Sequence, residues 1–427
     1  MINSRLKKLT PQFKNILKIS SKIAKKSGYN IYLVGGVVRD LLLNRPVFDL
    51  DIVVEGDAIL FVKRLAGCLG QSFRKHHSFG TATLYHDNHK IDFATARQEK
   101  YQHHGALPKV QPSCLEKDLA RRDFSINAMA ISLNKESYGQ LIDFYGGRRD
   151  LKNGLIRILY PESFLDDSLR ILRALRFEQR FSFRIEAKTF LLMEKAIKSG
   201  ALKFVHSHRL RNELILFLNE PKPYKYIKRL YSLENLNFID ESIKLNKKDF
   251  RFFIRAESAL KFYKKKFKEN NEIKSWLVYL AGILLHLSDE KYLEVVNRFG
   301  FRKDQRDTIS SIKKNLGKIR KLDYKKKNSE IYKILKNYSP EALVFFYAYF
   351  PKKNLRKNIR LFLEVLSQQK LKVKGKDLKK IGIQSSSFMG EILKELFYRK
   401  LDKGLEAKGE ELREAKEVIQ NKQSLKR

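Results

Sequence analysis

The sequence predicts an α+β fold, with a small mixed or antiparallel sheet and its helices first and an all-helical remainder after it. Three observations carry this. Short apolar runs beside glycines and alternating acids, at 31–34 and 48–56, have the pattern of half-buried strands. "GTATLYHDNHKIDFATAR" (80–97) reads as a hairpin turning at Asp87-Asn88. From about Ser163 the apolar period changes to 3.6 and stays there.

The elements follow in order. A strand at 31–34 runs into Gly35-Gly36 and a helix over Val37–Leu43. "FDLDIVVEG" (48–56) is a strand that enters the core after its acids, and Asp92 sits on the returning strand of the hairpin. Helices are expected near 187–199, 207–219, 222–232, 248–265 and 274–286, with "SHRLRNELILFLNEP" (207–221) capped by its serine. The final "LEAKGEELREAKEVIQNKQSLKR" (405–427) reads as a charged, fraying helix. The segment 6–28 has no acid, as in a transit peptide, but its helical apolar spacing predicts an ordinary N-terminal helix.

A chain of 427 residues exceeds one ordinary core. Lys and Arg number 88 against 47 acids, a net +41 spread along the chain. That excess repels itself and suits a polyanionic partner, nucleic acid before an anionic membrane surface. No apolar run approaches a bilayer span. The two cysteines, Cys68 and Cys114, have no metal-ligand spacing, which points to a reducing, cytoplasmic setting without disulfides.

Two acids spaced by one stand out in so basic a chain. On a strand, Asp49 and Asp51 face one spot and repel each other, unless a hard cation such as Mg²⁺ holds both ionised. Asp92, on a neighbouring strand, offers a third carboxylate to a two-metal arrangement. Just before them, "GGVVRD" (35–40) supplies Gly35 and Gly36 for close backbone approach, a helix N-terminus, and Arg39 for the same anion. A Walker lysine is missing, so this is not a P-loop. By spacing alone, Asp123 and Asn127 (i, i+4) share a helix face beside Arg122, as do Asp167 and Arg170 (i, i+3), with Arg173 extending the row. An ordinary salt bridge is the plainer reading of the latter pair, and a solvated basic pair that of Arg121-Arg122. His76-His77 and His103-His104 have no ligand spacing and read as solvent- or RNA-facing.

Strand-Gly-Gly-x-x-Arg-Asp followed by Asp-x-Asp resembles the DNA polymerase β type of nucleotidyltransferase. More narrowly, it resembles the class II tRNA nucleotidyltransferases (CCA-adding enzymes) and bacterial poly(A) polymerases. "DLARRDFSINAMA" (118–130), "LIDFYGGRRDLKNGLIRI" (141–158) and "DDSLRILRALRF" (166–177) agree with that family in order and spacing, over about residues 25–235. The resemblance implies a nucleotidyltransferase head at 1–160, a base-recognising helical neck at 161–235, and a helical body and tail at 236–427 that hold tRNA. It implies Asp49, Asp51 and Asp92 as catalytic residues, with Asp49 and Asp51 on Mg²⁺. Gly35, Gly36, Arg39, Arg122, Asp123, Asn127, Asp167, Arg170 and Arg173 then bind nucleotide. Asp167 and Arg170 act as a protein template for cytosine and adenine, and Arg209, Arg211 and Glu213 brace it.

The implied activity is untemplated addition of CCA to the tRNA 3′ end from CTP and ATP, with pyrophosphate released. The implied partner is the tRNA acceptor stem and T-arm, bound by a monomer or homodimer. This sequence departs from the family in two places. The template motif begins Asp166-Asp167 where Glu-Asp is usual, and 93–120 lacks the usual basic run, which leaves CC-only, A-only and poly(A) addition open. A non-catalytic RNA-binding protein on the same fold, or a transferase acting on proteins or small molecules, are the rivals from other classes.

Overall fold

The computed structural model describes all residues except 1–2, 88, 101–108, 234–235, 268–272, 325, 384–385 and 425–427. Asn88 of the expected turn and the His103-His104 pair lie outside the described residues. Two compact units emerge, one of Met1–Pro221 with Lys225–Glu241, the other of Lys222–Tyr224 with Ser242–Arg427.

The first unit begins with helices α1 (Asn3–Leu6) and α2 (Pro11–Ser27). Thr10 caps α2 by accepting from the Phe13 amide, Pro11 opens it where no donor is needed, and Gly28 at φ 69° ends it. Phe13, Ile16, Leu17, Ser20, Ile23 and Ala24 form its buried stripe. The chain continues through β1 (Asn30–Val34), α3 (Gly36–Leu42), β2 (Leu50–Glu55), α4 (Ala58–Leu69), β3 (Phe73–His76), β4 (Thr81–His86) and β5 (His89–Thr95). A ribbon β6 (Arg97–Lys100) and β7 (Lys109–Pro112) precedes α5 (Leu115–Ala120), β8 (Ala130–Ser132) and β9 (Leu141–Ile142). Then come α6 (Gly147–Asn153), β10 (Leu155–Ile156), α7 (Ser163–Asp166), α8 (Leu169–Phe181), β11 (Arg184–Ile185), α9 (Ala187–Lys198), α10 (Ser207–Asn219) and α11 (Pro223–Ser232).

Seven strands form one mixed sheet in the order β3-β4-β5-β2-β1-β8-β9. Only β2 and β5 run parallel in it, with Asp51 opposite Asp92 and Ile52 opposite Phe93. Strand alternation then sorts the two faces. Phe93 meets Phe61 of α4, and α2 packs on α4 and β1, so these two helices cover one face. Asp51 and Asp92 lie on the other, with Tyr32, Val34 and Val53, which pack under Leu115 and Leu119 of α5.

The second unit is helical among its described residues: α12 (Lys247–Lys266), α13 (Ser275–Leu284), α14 (Asp289–Arg298), α15 (Lys303–Arg320), α16 (Asn328–Leu335), α17 (Pro340–Tyr349), α18 (Lys353–Glu364), α19 (Gly375–Lys380), α20 (Ser386–Lys403) and α21 (Lys408–Ser424). Two local expectations are corrected. The final helix does not fray over its length: Ala415, Val418 and Ile419 of α21 are buried with Ile392 and Leu396 of α20, and Lys400 pairs with Glu411 at 2.6 Å with both side chains enclosed. Their apolar positions three and four apart were masked in the sequence by the surrounding charge. Ser207 begins α10 rather than capping it; His206 holds the cap position and makes no side-chain cap bond.

Candidate active site

The turn from β1 into α3 places the first residues. Gly35 has φ 72° and ψ −128°, a conformation side-chain-bearing residues avoid, and a Cβ there would meet the Arg122 Nη1 at 2.7 Å. The two glycines therefore bring backbone directly beneath an arginine. Arg39, one turn on, is buried. Its fork takes Asp40 (Nε to Oδ1 and Nη2 to Oδ2, both 3.0 Å), its Nη1 donates to Asn127 Oδ1 at 2.6 Å, and the Phe181 ring lies 4.7 Å away. This arginine is thus less free for an anion than its spacing suggested.

Asp49 precedes β2 by one residue and is exposed; Asp51 is the second residue of the strand. Asp51 is open to the cleft yet ringed by protein, and burial pushes its carboxyl above the ordinary range. Arg122 and Lys90 oppose that rise, and Asp92 and Asp49 add to it. Asp92 is in register with Asp51 across the parallel pair, but it is occupied: Thr83 Oγ1 donates to its Oδ1 at 2.6 Å and Lys90 Nζ to its Oδ2 at 2.8 Å. Among the described residues, no three His, Cys, Asp or Glu side chains form a ready-made metal cluster. Asp49 and Asp51 remain two hard oxygen donors, close enough for the Asp49 charge to act on Asp51. That donor set fits Mg²⁺, which keeps several waters and takes one or two carboxylates plus substrate phosphates.

The second motif departs from the expected helix. Asp123 Oδ1 accepts from the Phe124 amide at 2.8 Å, Phe124 is extended (φ −139°, ψ 154°) to bury its ring against Phe177, and a short 3-10 turn holds Ser125–Asn127. The pairing expected from i, i+4 survives the change, because Asn127 Nδ2 donates to Asp123 Oδ1 at 2.9 Å. Asp123 Oδ2 accepts from Arg173 Nε and Nη2 at 2.9 and 2.7 Å. Burial raises the Asp123 carboxyl, but Arg173, Asn127 and Arg170 together hold it below the usual carboxylate range. Gly147 of α6 lies so close to this turn that a Cβ would overlap the Ser125 carbonyl oxygen.

Asp167 and Arg170 do not share a helix face. The one-turn α7 ends at Asp167, which is extended (φ −136°, ψ 92°), and α8 starts afresh behind Ser168. The run Asp166-Asp167-Ser168 favours such a break, since short polar side chains compete for backbone amides; Asp167 Oδ1 accepts from Leu169 N at 3.3 Å. Asp167 pairs instead with Arg209 of α10, whose Nη2 lies 3.2 and 3.1 Å from its two oxygens. Arg170 is buried and donates to Ser163 Oγ (2.6 Å), Tyr160 Oη (3.1 Å) and the Arg121 carbonyl (2.6 Å).

Of the site residues expected from the sequence, all except Asp49 and Asp92 line one cleft of about 520 Å³, together with Arg97, Glu99, Arg121, Phe177 and Arg209. Seven of its lining residues are arginines and four are acids, a local excess of three positive charges (7 − 4) suited to a polyphosphate. Sequence reasoning missed the wall built by Glu99, which takes Arg97 at 3.1 Å and Arg121 at 2.8 Å, while Arg121 and Arg122 both grip the buried Asp118. The i, i+2 charge alternation of Arg97 and Glu99 was its available signal. Arg97 and Arg122 each keep a buried Nε without a hydrogen-bond partner. His76 and His77 are exposed.

Comparison with known proteins agrees with this geometry. The "Poly A polymerase head domain" model matches residues 31–157. The A-adding tRNA nucleotidyltransferase of Aquifex aeolicus is 39% identical over 86% of this chain, and that of Halalkalibacterium halodurans 35% identical over 98% of this chain and 95% of its own length. The chain spans 44% of the Aquifex protein and 46% of the Geobacter sulfurreducens A-adding enzyme, about half of each. Among solved structures, the Thermotoga maritima CCA-adding enzyme complexed with tRNA matches with TM-score 0.78 and 33% identity over 98% of both chains. The motifs, the sheet and these full-length likenesses converge: the chain belongs to the class II tRNA nucleotidyltransferase and poly(A) polymerase family.

Proposed function

We propose that this chain adds nucleotides to the 3′ end of tRNA, and that its product is a single A on tRNA ending in C-C. The cleft carries the general reading: Asp51 lies at one side of a pocket that also brings in seven arginines and Asp167. The choice of A rests on the A-adding relatives matched over 86–98% of the chain. In the reaction the tRNA 3′-hydroxyl oxygen bonds to the α-phosphorus of ATP, the bond to pyrophosphate breaks, and the hydroxyl proton is lost to water. Mg²⁺, held by Asp49 and Asp51, supplies charge neutralisation and a lowered hydroxyl pKa when bound.

Arg122 and Arg97 line the cleft and bring guanidinium charge to the triphosphate, and the Gly35-Gly36 turn lets it approach the backbone. Arg39, Asn127, Asp123 and Arg173 form a connected hydrogen-bonded chain that keeps the floor rigid. Asp167 accepts from the adenine amino group while Arg209 and Arg170 fix its surroundings. In this reading residues 1–160 are the catalytic head, 161–235 the neck that reads the base, and 236–427 the body and tail that hold tRNA.

Full CCA addition is the second reading, favoured by the likeness to the Thermotoga maritima enzyme. Purified protein, Mg²⁺ and three labelled tRNA transcripts (lacking CCA, ending in C-C, complete) distinguish the two at single-nucleotide resolution. Extension of the C-C transcript alone, by one A, supports the A-adding reading. Three residues added to the first transcript overturn it in favour of CCA addition, and a long A ladder in favour of poly(A) synthesis.

A further inference from the structure

Helix α2 lies across the sheet from Asp51, and its outer face bears lysines at 14, 18, 22 and 26, four residues apart, with Lys25 beside them. At a rise of about 1.5 Å per residue, successive lysines stand roughly 6 Å apart along one tilted row. The row edges a groove of about 1250 Å³ whose other walls are Lys135 and Tyr138, with Ile19 and Ile23 at its base. None of its described lining residues is acidic. The nearest paired acid, Glu136, is largely exposed and reaches only Lys25, at 3.7 Å. Of the six lysines lining the groove, only Lys25 has an acid at ion-pair distance among the described residues, which leaves the groove strongly positive.

We infer that this groove binds a single-stranded stretch of RNA along α2, at a site separate from the catalytic cleft. The repeating charge spacing along a straight element suits a phosphodiester backbone. Tyr138, 39% exposed at the edge, offers a flat ring against which a base can stack. A lipid surface fits less well, because a membrane-bound helix presents large apolar side chains, and none of the described exposed large hydrophobics lies on α2. The site is independent of which nucleotide the cleft adds.

The test compares the full-length protein with K18E/K22E and with the charge-matched K188E/K195E on the exposed side of α9. The probe is a short oligouridylate closed by a 3′-phosphate so that it cannot be extended, with anionic phosphatidylserine vesicles as a second arm. Wild-type protein is expected to bind the probe with an affinity that falls as salt rises. K18E/K22E should bind about tenfold more weakly at low salt and flatten the log–log salt slope by about 1.4, at ~0.7 per lost phosphate contact. Ultraviolet crosslinks should map to α2, and melting should be unchanged because both lysines are exposed. An unchanged slope in K18E/K22E, an equal loss in K188E/K195E, or α2-dependent capture by vesicles without oligouridylate binding would overturn the inference.

Discussion

Arg209 of α10 holds both carboxylate oxygens of Asp167 across the break between α7 and α8, at 3.2 and 3.1 Å. The side chain assigned to base recognition is therefore oriented by a residue 42 positions away, not by its own helix.

R209A should leave Asp167 free to rotate. The expected result is a loss of discrimination between ATP and the other nucleotides by about 10–100-fold, the worth of one well-placed bidentate contact. Single-turnover rates with each nucleotide measure it. R209K should recover only part, since the lysine stem lacks the rigid planar fork that holds Nη2 between the two oxygens. Equal slowing with every nucleotide would assign Arg209 a purely structural role.

D49N and D51N should each lower nucleotide addition by at least about 10³-fold while tRNA binding is retained. Rate measurements paired with filter binding check this.

Asp51 also ties stability to pH. Burial, with Asp92 and Asp49, raises its carboxyl above the ordinary 3.8. An acid whose folded pKa is raised holds its proton more tightly in the folded state, so ionising it removes stability. That loss sets in as pH climbs past about 3.8 and is complete once pH exceeds the raised folded value. Metal-free D51N should accordingly melt above wild type at neutral pH, the gap closing in acid. Added Mg²⁺ should raise the wild-type melting temperature and leave D51N nearly unmoved.

G35A should cost about 1–3 kcal/mol in backbone strain at φ 72°. Because its Cβ presses on Arg122, the KM for ATP should rise about tenfold, a shift of about 1.4 kcal/mol. Thermal melting and steady-state kinetics separate the two effects.

D123A strips the Phe124 amide, Asn127 and Arg173 of their shared acceptor in a buried place. A loss of roughly 1–3 kcal/mol of stability is expected, read by denaturant titration.

What could be read from the sequence was local. Gly35-Gly36 after a short apolar run, and Asp49 with Asp51 ahead of "IVV", foretold β1, α3 and β2. The hairpin signal put Asp92 on a strand, and the register then put it opposite Asp51. Spacing misled where helix continuity was assumed, at Asp167 and Asp123, because short polar side chains bonded to nearby amides and ended or diverted the helix. Three distant pairings were hidden for another reason: Arg170 with the Arg121 carbonyl, Arg209 with Asp167, and Glu99 with Arg121. They span 22 to 49 positions, and no periodicity encodes which distant carbonyl or acid a guanidinium will meet.

The parallel pairing of β2 with β5 has a kinetic consequence. Antiparallel neighbours joined by a tight turn form early, but Asp51 meets Asp92 only after the chain between them has closed through α4, β3 and β4. Loop closure over such a span is slow and its entropy is lost before the contacts form. Until β5 docks, Asp51 stands on a strand with one open edge, without Asp92, Thr83 and Lys90 beside it. The electrostatic surroundings of Asp51 are therefore completed by a strand that reaches it only after a long excursion of the chain.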